Sequence, residues 1–271
     1  MSTEQERQEA GGFFQAADPC LSQVDEYEIN AYVVKVFGWM FLGLAVTALT
    51  TGAIVWGMNR SADFVELVFA MLTFPWYLAV FGAQLGIVVF LSARVMKMNP
   101  GTAKFLFLLY SSITGLTVGL MAVLISLEIG GDMSLVTTAF ALTAGSFGVM
   151  AVYGHFTKKD LTGWGSLLRM ALFGLIAIMV VNLFLRDSQL DFLVSIVGLV
   201  IFLGLTASHT NAIKNQYARV ALGSTEESRA MMGTSLDREQ LGSNLAILAA
   251  FSLYLAFINI FIFILRLMSR R

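Results

Sequence analysis

The chain has 271 residues, of which 57% are hydrophobic and only 13% are charged. Soluble domains carry roughly a quarter charged residues, so this chain has too little charge to cover a water-facing surface. The formal net charge of -1 argues against a nucleic-acid partner, and a single cysteine excludes an internal disulfide and a cysteine-based metal centre. We therefore expect a membrane protein with no metal site and no cofactor.

The chain divides into two parts by composition. Residues 1–30 are polar and acidic, which predicts a disordered tail. They lack the basic-then-apolar pattern of a cleaved signal peptide. Residues 31–268 are dominated by apolar runs and are expected to form one transmembrane bundle.

Seven runs free of Asp, Glu, Lys and Arg follow one another in this second part. A helix needs roughly 20 apolar residues to cross a bilayer. The runs cover residues 36–58, 67–93, 105–127, 133–156, 170–185, 192–213 and 240–265. The fifth is short, so we expect its helix to begin near Trp164, with Arg169 reaching back to the interface. In the second, Pro75 lies near the start, and the residues before it are expected to form a turn or a re-entrant piece.

Lys and Arg in the connecting segments predict the orientation. With seven spans, 12 of the 17 basic residues fall on the N-terminal side and 5 on the other. This places the N-terminus in the cytoplasm. The side of the C-terminus stays open, because residues 266–271 include three arginines on the side with fewer basic residues. Residues 215–241 are expected to form a cytoplasmic loop.

Three of the runs carry small or polar residues at helical spacing. Such stripes indicate close helix packing in lipid, and the alternative is a water-filled path lined by hydroxyl groups. The stripes are Ser112, Gly115, Gly119, Ala122 and Ser126 in the third run; Ser134, Thr138, Ala141, Gly145 and Gly148 in the fourth; and Ser252, Ala256 and Asn259 in the seventh. The seventh helix is expected to turn its stripe inward, because Asn259 needs a hydrogen-bond partner.

Intramembrane chemistry usually depends on ionisable groups within the spans. The seven runs contain none besides histidine, and His155 and His209 both lie near predicted helix ends. No nucleophile–base pair and no phosphate-binding glycine loop is present in the sequence. We therefore expect that the protein is not an enzyme.

Four sequence strings, in order along the chain, resemble the Bax inhibitor-1 family, also called the transmembrane Bax inhibitor motif family, in its bacterial branch. They are FGWMFLGL at 37–44, YG at 153–154 followed by TKKDL at 157–161, GLTA at 204–207, and LYL with FIN at 253–259. The resemblance covers residues 30–268. It implies an all-α bundle of seven transmembrane helices in which the C-terminal helix is central.

The resemblance also implies a pH-sensitive calcium leak controlled by two aspartates and a nearby arginine. The family's Tyr-Asp-Thr-Gln stretch in the sixth helix corresponds here to residues 208–211, so that His209 replaces the first aspartate. The second aspartate position is Ala256, and the arginine corresponds to Arg94 or Lys97 depending on alignment. Calcium prefers oxygen ligands, carboxylates prominent among them, which neither replacement supplies.

Two functions remain open for a protein of the bacterial inner membrane. The first is a scaffold or regulator that acts through contacts with other membrane proteins, for example a membrane protease complex. The second is a pH-modulated leak for Ca²⁺, another cation or protons, which the missing aspartates disfavour. His209 either titrates as a weaker switch or caps the last turn of the sixth helix. The candidate pore or switch positions are His209, Ala256, Asn259, Ser252, Arg94 and Lys97.

Overall fold

The computed structural model describes residues 26–58, 60–71, 76–128, 134–157, 159–222 and 238–269. Within these residues the chain forms α-helices and a 3₁₀ turn, and no strand. The helices are α1 Glu26–Met58, α2 Ala62–Met71, α3 Trp76–Arg94, α4 Pro100–Glu128, α5 Ser134–Phe156, α6 Thr162–Leu185, α7 Ser188–Leu222 and α8 Arg238–Met268, and the 3₁₀ turn is Val95–Lys97. The predicted all-α class is confirmed.

Six of these helices (α1, α4, α5, α6, α7 and α8) are long and apolar enough to cross a membrane, and α3 contains a shorter apolar stretch. Helix α6 begins at Thr162, close to the predicted start near Trp164. Helix α1 begins at Glu26, so the last five residues of the predicted tail (26–30) are helical, and residues 1–25 lie outside the described residues.

The second predicted run, 67–93, is not one continuous helix, and its long helix begins directly after Pro75, as expected. Residues 62–71 form the separate helix α2, and α3 begins only at Trp76. Proline restricts the residue before it to extended conformations and interrupts helical hydrogen bonding, which agrees with a break in this region. Pro75 itself lies outside the described residues.

The predicted loop 215–241 is also shorter than expected. Helix α7 continues to Leu222, and α8 starts at Arg238. Residues 214–222 include Lys and Arg, which have high helix propensity. Their charge therefore did not prevent α7 from continuing through this segment. Residues 223–237 lie outside the described residues.

Helix α8 is the most enclosed of the six long apolar helices. In its most apolar 18-residue window 72% of the residues are buried, compared with 6% in α6. Its aromatic residues contact three different helices: Phe251 and Tyr254 meet Phe107 of α4 at 5.9 and 5.6 Å, Phe257 meets Phe147 of α5 at 5.4 Å, and Phe263 meets Phe202 of α7 at 5.9 Å.

The small-residue stripe of the third run packs as expected. A Cβ added to Gly115 would lie 2.7 Å from the carbonyl oxygen of Thr47 on α1, and one added to Gly119 would lie 3.3 Å from the Cα of Thr51. Thr51 also donates a hydrogen bond of 2.8 Å to the carbonyl of Gly115. The two glycines therefore let the backbones of α1 and α4 approach closely.

The stripe of the fourth run does not pack within the described residues, contrary to prediction. A Cβ added to Gly145 or Gly148 would meet nothing within 4 Å. The buried face of α5 is the opposite one, formed by Ala139, Thr143, Phe147, Ala151 and Gly154. The helical spacing of the small residues predicted correctly that they share one face of α5. It did not predict that this face points away from the other helices.

We expect Gly115→Ala to lower the free energy of unfolding by about 1–3 kcal/mol, because its methyl group collides with the α1 backbone. Gly145→Ala is the matched control in the neighbouring helix and should leave stability unchanged or slightly higher. Thermal unfolding of the purified proteins in detergent measures both. Equal behaviour of the two variants would contradict the close α1–α4 approach.

Candidate functional site

Helices α7 and α8 pack antiparallel. Asp191 near the start of α7 lies 3.6 Å from Arg266 near the end of α8. The rings of Phe202 and Phe263 stack at 5.9 Å, and Phe263 also lies against Gly198, where an added Cβ would overlap it. These contacts fix the relative height of the two helices.

This register brings His209 and Ala256 to the same level. His209 follows Phe202 by two helical turns in α7, and Ala256 precedes Phe263 by two turns in the antiparallel α8. Residues seven positions apart share a helix face. The two positions that the family resemblance assigns to aspartates therefore lie at the same level, on the helix faces that carry the Phe202–Phe263 contact, although neither is a carboxylate. Ala256 is buried and His209 is half-buried.

His209 does not cap a helix terminus, because α7 continues well past it to Leu222. The capping alternative is therefore wrong. The charged group that acts on His209 is Arg169 of α6, which lies within electrostatic range. The family resemblance implies two carboxylates with an arginine at this point, whereas here His209 lies within electrostatic range of an exposed arginine.

The neighbours of His209 join α7 to α5 and α6. Ser208 donates a 3.3 Å hydrogen bond to the carbonyl of Leu161, and the side-chain oxygen of Asn211 accepts a 3.3 Å bond from the Leu161 amide. The side-chain amide of Asn211 donates to the carbonyl of Gly154 at 3.5 Å. A Cβ on Gly154 would overlap the backbone of Ala207. The polar residues around position 209 therefore hold helices together.

The stripe of the seventh run is only partly inward. Ser252 and Asn259 are half-buried and lie on the same face as the half-buried Leu248, Leu255 and Ile262, which is the least buried face of α8. Ser252 donates to the carbonyl of Leu248 at 3.0 Å, and Asn259 donates to that of Leu255 at 2.7 Å. The prediction that this face turns inward is met only in part, since these two residues are half-buried; bonds within their own helix supply their hydrogen-bond partners.

Arg94 and Lys97 are both exposed at the end of α3 and in the 3₁₀ turn. Asn244 of α8 fixes this turn by donating hydrogen bonds of 2.8 Å to the carbonyls of Val95 and Met98. Among the described residues, the cation with an electrostatic effect on His209 is Arg169 of α6 rather than Arg94 or Lys97. The sequence offered one signal for this residue: it is the only basic residue of helix α6.

A cluster of buried hydroxyl groups lies where α1, α4 and α8 meet. The side-chain oxygen of Thr47 is 2.7 Å from the hydroxyl of Tyr254 and 3.0 Å from the carbonyl of Ser111. The Tyr254 hydroxyl also lies near the side chains of Ser111 and Thr114. Gln84 of α3 reaches Thr114 at 3.4 Å. Sequence reasoning missed this cluster, because its members come from four helices and no single stripe contains them.

The described residues contain no group of three or more His, Cys, Asp or Glu side chains able to hold a metal ion. The oxygen atoms available at the bundle interior are hydroxyls, amides and backbone carbonyls. Such atoms can solvate a cation only weakly compared with carboxylates.

Comparison with known proteins gives consistent matches over most of the chain. The family model described as "Inhibitor of apoptosis-promoting Bax1" matches residues 29–271. Inner membrane protein YbhL of Escherichia coli is 37% identical over 246 residues, which cover 90% of this chain and 93% of YbhL. A protein of Borreliella burgdorferi is 34% identical over 89% of this chain and 93% of its own length. A Rickettsia prowazekii protein is 32% identical, covering 90% and 91%.

These matches include both helices that carry positions 209 and 256, and they agree with an α-helical chain with six long apolar helices. The protein is a multi-pass membrane protein with relatives in the bacterial inner membrane, and it belongs to the Bax inhibitor-1 family.

Proposed function

We propose that the chain crosses the inner membrane seven times, with the N-terminus in the cytoplasm and α8 at the centre of the bundle. The seventh crossing, besides the six long helices, is α3, whose 19 residues reach about 28 Å at 1.5 Å per residue. The high burial of α8 supports its central place, and the 12-to-5 distribution of basic residues supports the orientation.

We infer that the protein regulates other membrane proteins through helix contacts. The observation that carries this proposal is the pair of facing positions on α7 and α8, which hold His209 and Ala256 instead of two carboxylates. A methyl group and an imidazole beside Arg169 offer Ca²⁺ no anionic ligand and some repulsion. The fold of the family is present while the groups that its calcium leak requires are absent.

The outward face of α5 supplies the contact surface that such a regulator needs. Thr138, Ala141 and Gly145 are exposed, and a Cβ at Gly145 would meet nothing within 4 Å, although Leu142 and Val149 are exposed beside it. The Thr138 hydroxyl already bonds to the Ser134 carbonyl at 2.8 Å, so it needs no partner from another helix. In lipid, faces of this kind are typical of helix–helix interfaces. A membrane protease subunit is one partner that would fit.

The buried hydroxyl cluster favours one alternative, a slow cation or proton leak. Its oxygens lie among α1, α4 and α8, and half-buried Gln84 extends it towards α3. Hydroxyl groups in a chain can pass protons or replace part of a hydration shell.

A first prediction concerns calcium. The unmodified protein should conduct little Ca²⁺ compared with family members that carry both aspartates. The double variant His209→Asp with Ala256→Asp should create a pH-dependent Ca²⁺ flux, because two facing carboxylates titrate as a coupled pair. Calcium entry into dye-loaded vesicles at neutral and acidic pH measures this, and His209→Asn with Ala256→Asn is the uncharged control.

Robust, acid-modulated Ca²⁺ flux in the unmodified protein would overturn the regulator proposal. A silent double variant that folds normally would leave the regulator proposal standing and would count against a site still shaped for a pair of carboxylates.

A second prediction tests contact through α5. A photo-crosslinking amino acid placed at Ala141 should give a discrete protein adduct in native membranes, and Gly145→Leu should abolish it by keeping the partner helix away. The same crosslinker at Val89, on the exposed surface of α3, is the control and should give no discrete adduct. Equal adducts at both positions, unaffected by Gly145→Leu, would count against a specific interface.

A third prediction distinguishes the regulator proposal from the leak alternative. Tyr254→Phe removes the hydroxyl that lies 2.7 Å from the side-chain oxygen of Thr47, and should lower the free energy of unfolding by about 1 kcal/mol. If the regulator proposal is right, the unmodified protein and Tyr254→Phe should both show the same proton flux as protein-free vesicles. A measurable proton flux that Tyr254→Phe reduces would instead support the leak.

A further inference from the structure

Helices α1 and α4 run parallel with a constant register. The side-chain oxygen of Thr47 donates to the Ser111 carbonyl at 3.0 Å, and that of Thr51 donates to the Gly115 carbonyl at 2.8 Å. In both pairs the residues are 64 positions apart, so this offset identifies positions at the same level. It places Lys35 of α1 level with the beginning of α4.

Two lysines adjoin one tryptophan at this end of the helix pair. The ammonium group of Lys104 on α4 lies 5.5 Å from the centroid of the Trp39 ring on α1. Lys35 is exposed and precedes Trp39 by four residues, so it lies on the same face of α1, one turn nearer the N-terminus. Ammonium groups from two helices therefore lie around a single half-buried ring.

Neither lysine has an ion-pair partner among the described residues. Two described carboxylates lie at the same end of the bundle. That of Glu28 accepts a 2.8 Å hydrogen bond from the Tyr217 hydroxyl of α7, and Glu239 is exposed in the first turn of α8. Neither is within ion-pair distance of the lysines, so the charge around Trp39 is positive and favours an anionic ligand.

The surface deeper in the membrane from these lysines is apolar. Leu42, nearly one turn after Trp39 in α1, is 43% exposed, and Leu108, one turn after Lys104 in α4, is half-buried. Trp and Lys at the end of a membrane span lie at headgroup depth, where lipid phosphates are. Cations beside an exposed apolar surface match a phospholipid, which joins a phosphate to acyl chains, better than they match a free phosphate.

We propose that α1 and α4 bind an anionic phospholipid in the leaflet on the N-terminal side of the membrane. The phosphate lies between the ammonium groups of Lys35 and Lys104, Trp39 lies at the level of the glycerol, and an acyl chain runs along Leu42 and Leu108. A net negative headgroup is preferred to a zwitterionic one, because no described carboxylate stands beside the two lysines to attract an ammonium group. The site is independent of the α7–α8 pair and of the regulator proposal.

The test is fluorescence quenching of Trp39 in reconstituted vesicles. Trp56, Trp76 and Trp164 are replaced by Phe, so that Trp39 is the only tryptophan. Phospholipids with brominated acyl chains quench a tryptophan that they touch. Brominated phosphatidylglycerol, phosphatidylethanolamine and phosphatidylcholine are each titrated into vesicles of unbrominated phosphatidylcholine. We expect phosphatidylglycerol to quench Trp39 at an about tenfold lower mole fraction than either zwitterionic lipid.

Lys35→Gln and Lys104→Gln should each weaken this preference about threefold, because each removes one ammonium group near the phosphate. Lys35→Arg and Lys104→Arg keep the charge and should keep the preference. Lys159→Gln is the matched control, since it makes the same charge change at an exposed lysine of the α5–α6 connection, and it should have no effect. Quenching by brominated phosphatidylcholine should be equal in all variants, which checks that the helices still pack normally.

Three results would overturn the proposal. Equal quenching by phosphatidylglycerol and phosphatidylethanolamine would mean that Trp39 meets only surrounding lipid. A preference that survives Lys35→Gln with Lys104→Gln would mean that the lysines take no part in recognition. Residues 1–25 carry five carboxylates and one arginine. A preference for phosphatidylglycerol that appears only after these residues are removed would assign the lysines to this acidic segment instead of a lipid.

Discussion

Close van der Waals contact between helices is the interaction on which this structure depends. Lipid tails are as apolar as leucine, so burying apolar side chains against one another gains little unless the helices pack closely. The chain achieves this by placing glycines opposite phenylalanine rings. Phe263 of α8 covers Gly198 of α7, and Phe107 of α4 covers Gly43 of α1, in both cases so closely that an added Cβ would overlap the ring. These pairs fix both the distance and the height of neighbouring helices.

Polar groups in the bundle follow from a second requirement, that hydrogen bonds be completed inside the protein where water is absent. Many hydroxyls satisfy it locally. Thr206 and Thr210 of α7 donate to carbonyls one turn earlier, at 2.8 and 2.9 Å. Thr47 and Tyr254 are different, because their hydroxyls meet across two helices at 2.7 Å. Bonds between helices specify which partners pack together, whereas bonds within a helix leave the packing free.

The same distinction explains what sequence could and could not predict. Span positions followed from the length of charge-free runs, and α4, α5 and α8 agree with them to within a few residues at most ends. The direction in which a face of small residues points could not be predicted from the sequence. Gly115 and Gly145 stand in equivalent patterns, yet only Gly115 meets another backbone, since the choice depends on which helix lies alongside. Asn259 was expected to need a hydrogen-bond partner, and the carbonyl of Leu255 supplies it within α8.

The candidate site shows the limit of a family resemblance in physical terms. The level at which His209 faces Ala256 is set by Phe202, Phe263 and Gly198, none of which takes part in titration or cation binding. Carboxylates at these positions are therefore not needed to build the α7–α8 pair, and the fold can outlast their loss. With the carboxylates gone, no ion pair holds Arg169 to position 209, and Ser208 and Asn211 tie α7 to the α5–α6 connection through hydrogen bonds that need no charge. In such a bundle, the residues that hold the helices together differ from the residues that titrate, so the shape can stay while the chemistry changes. Membership of the family therefore supports the architecture of this protein. A calcium leak depends instead on the residues at positions 209 and 256.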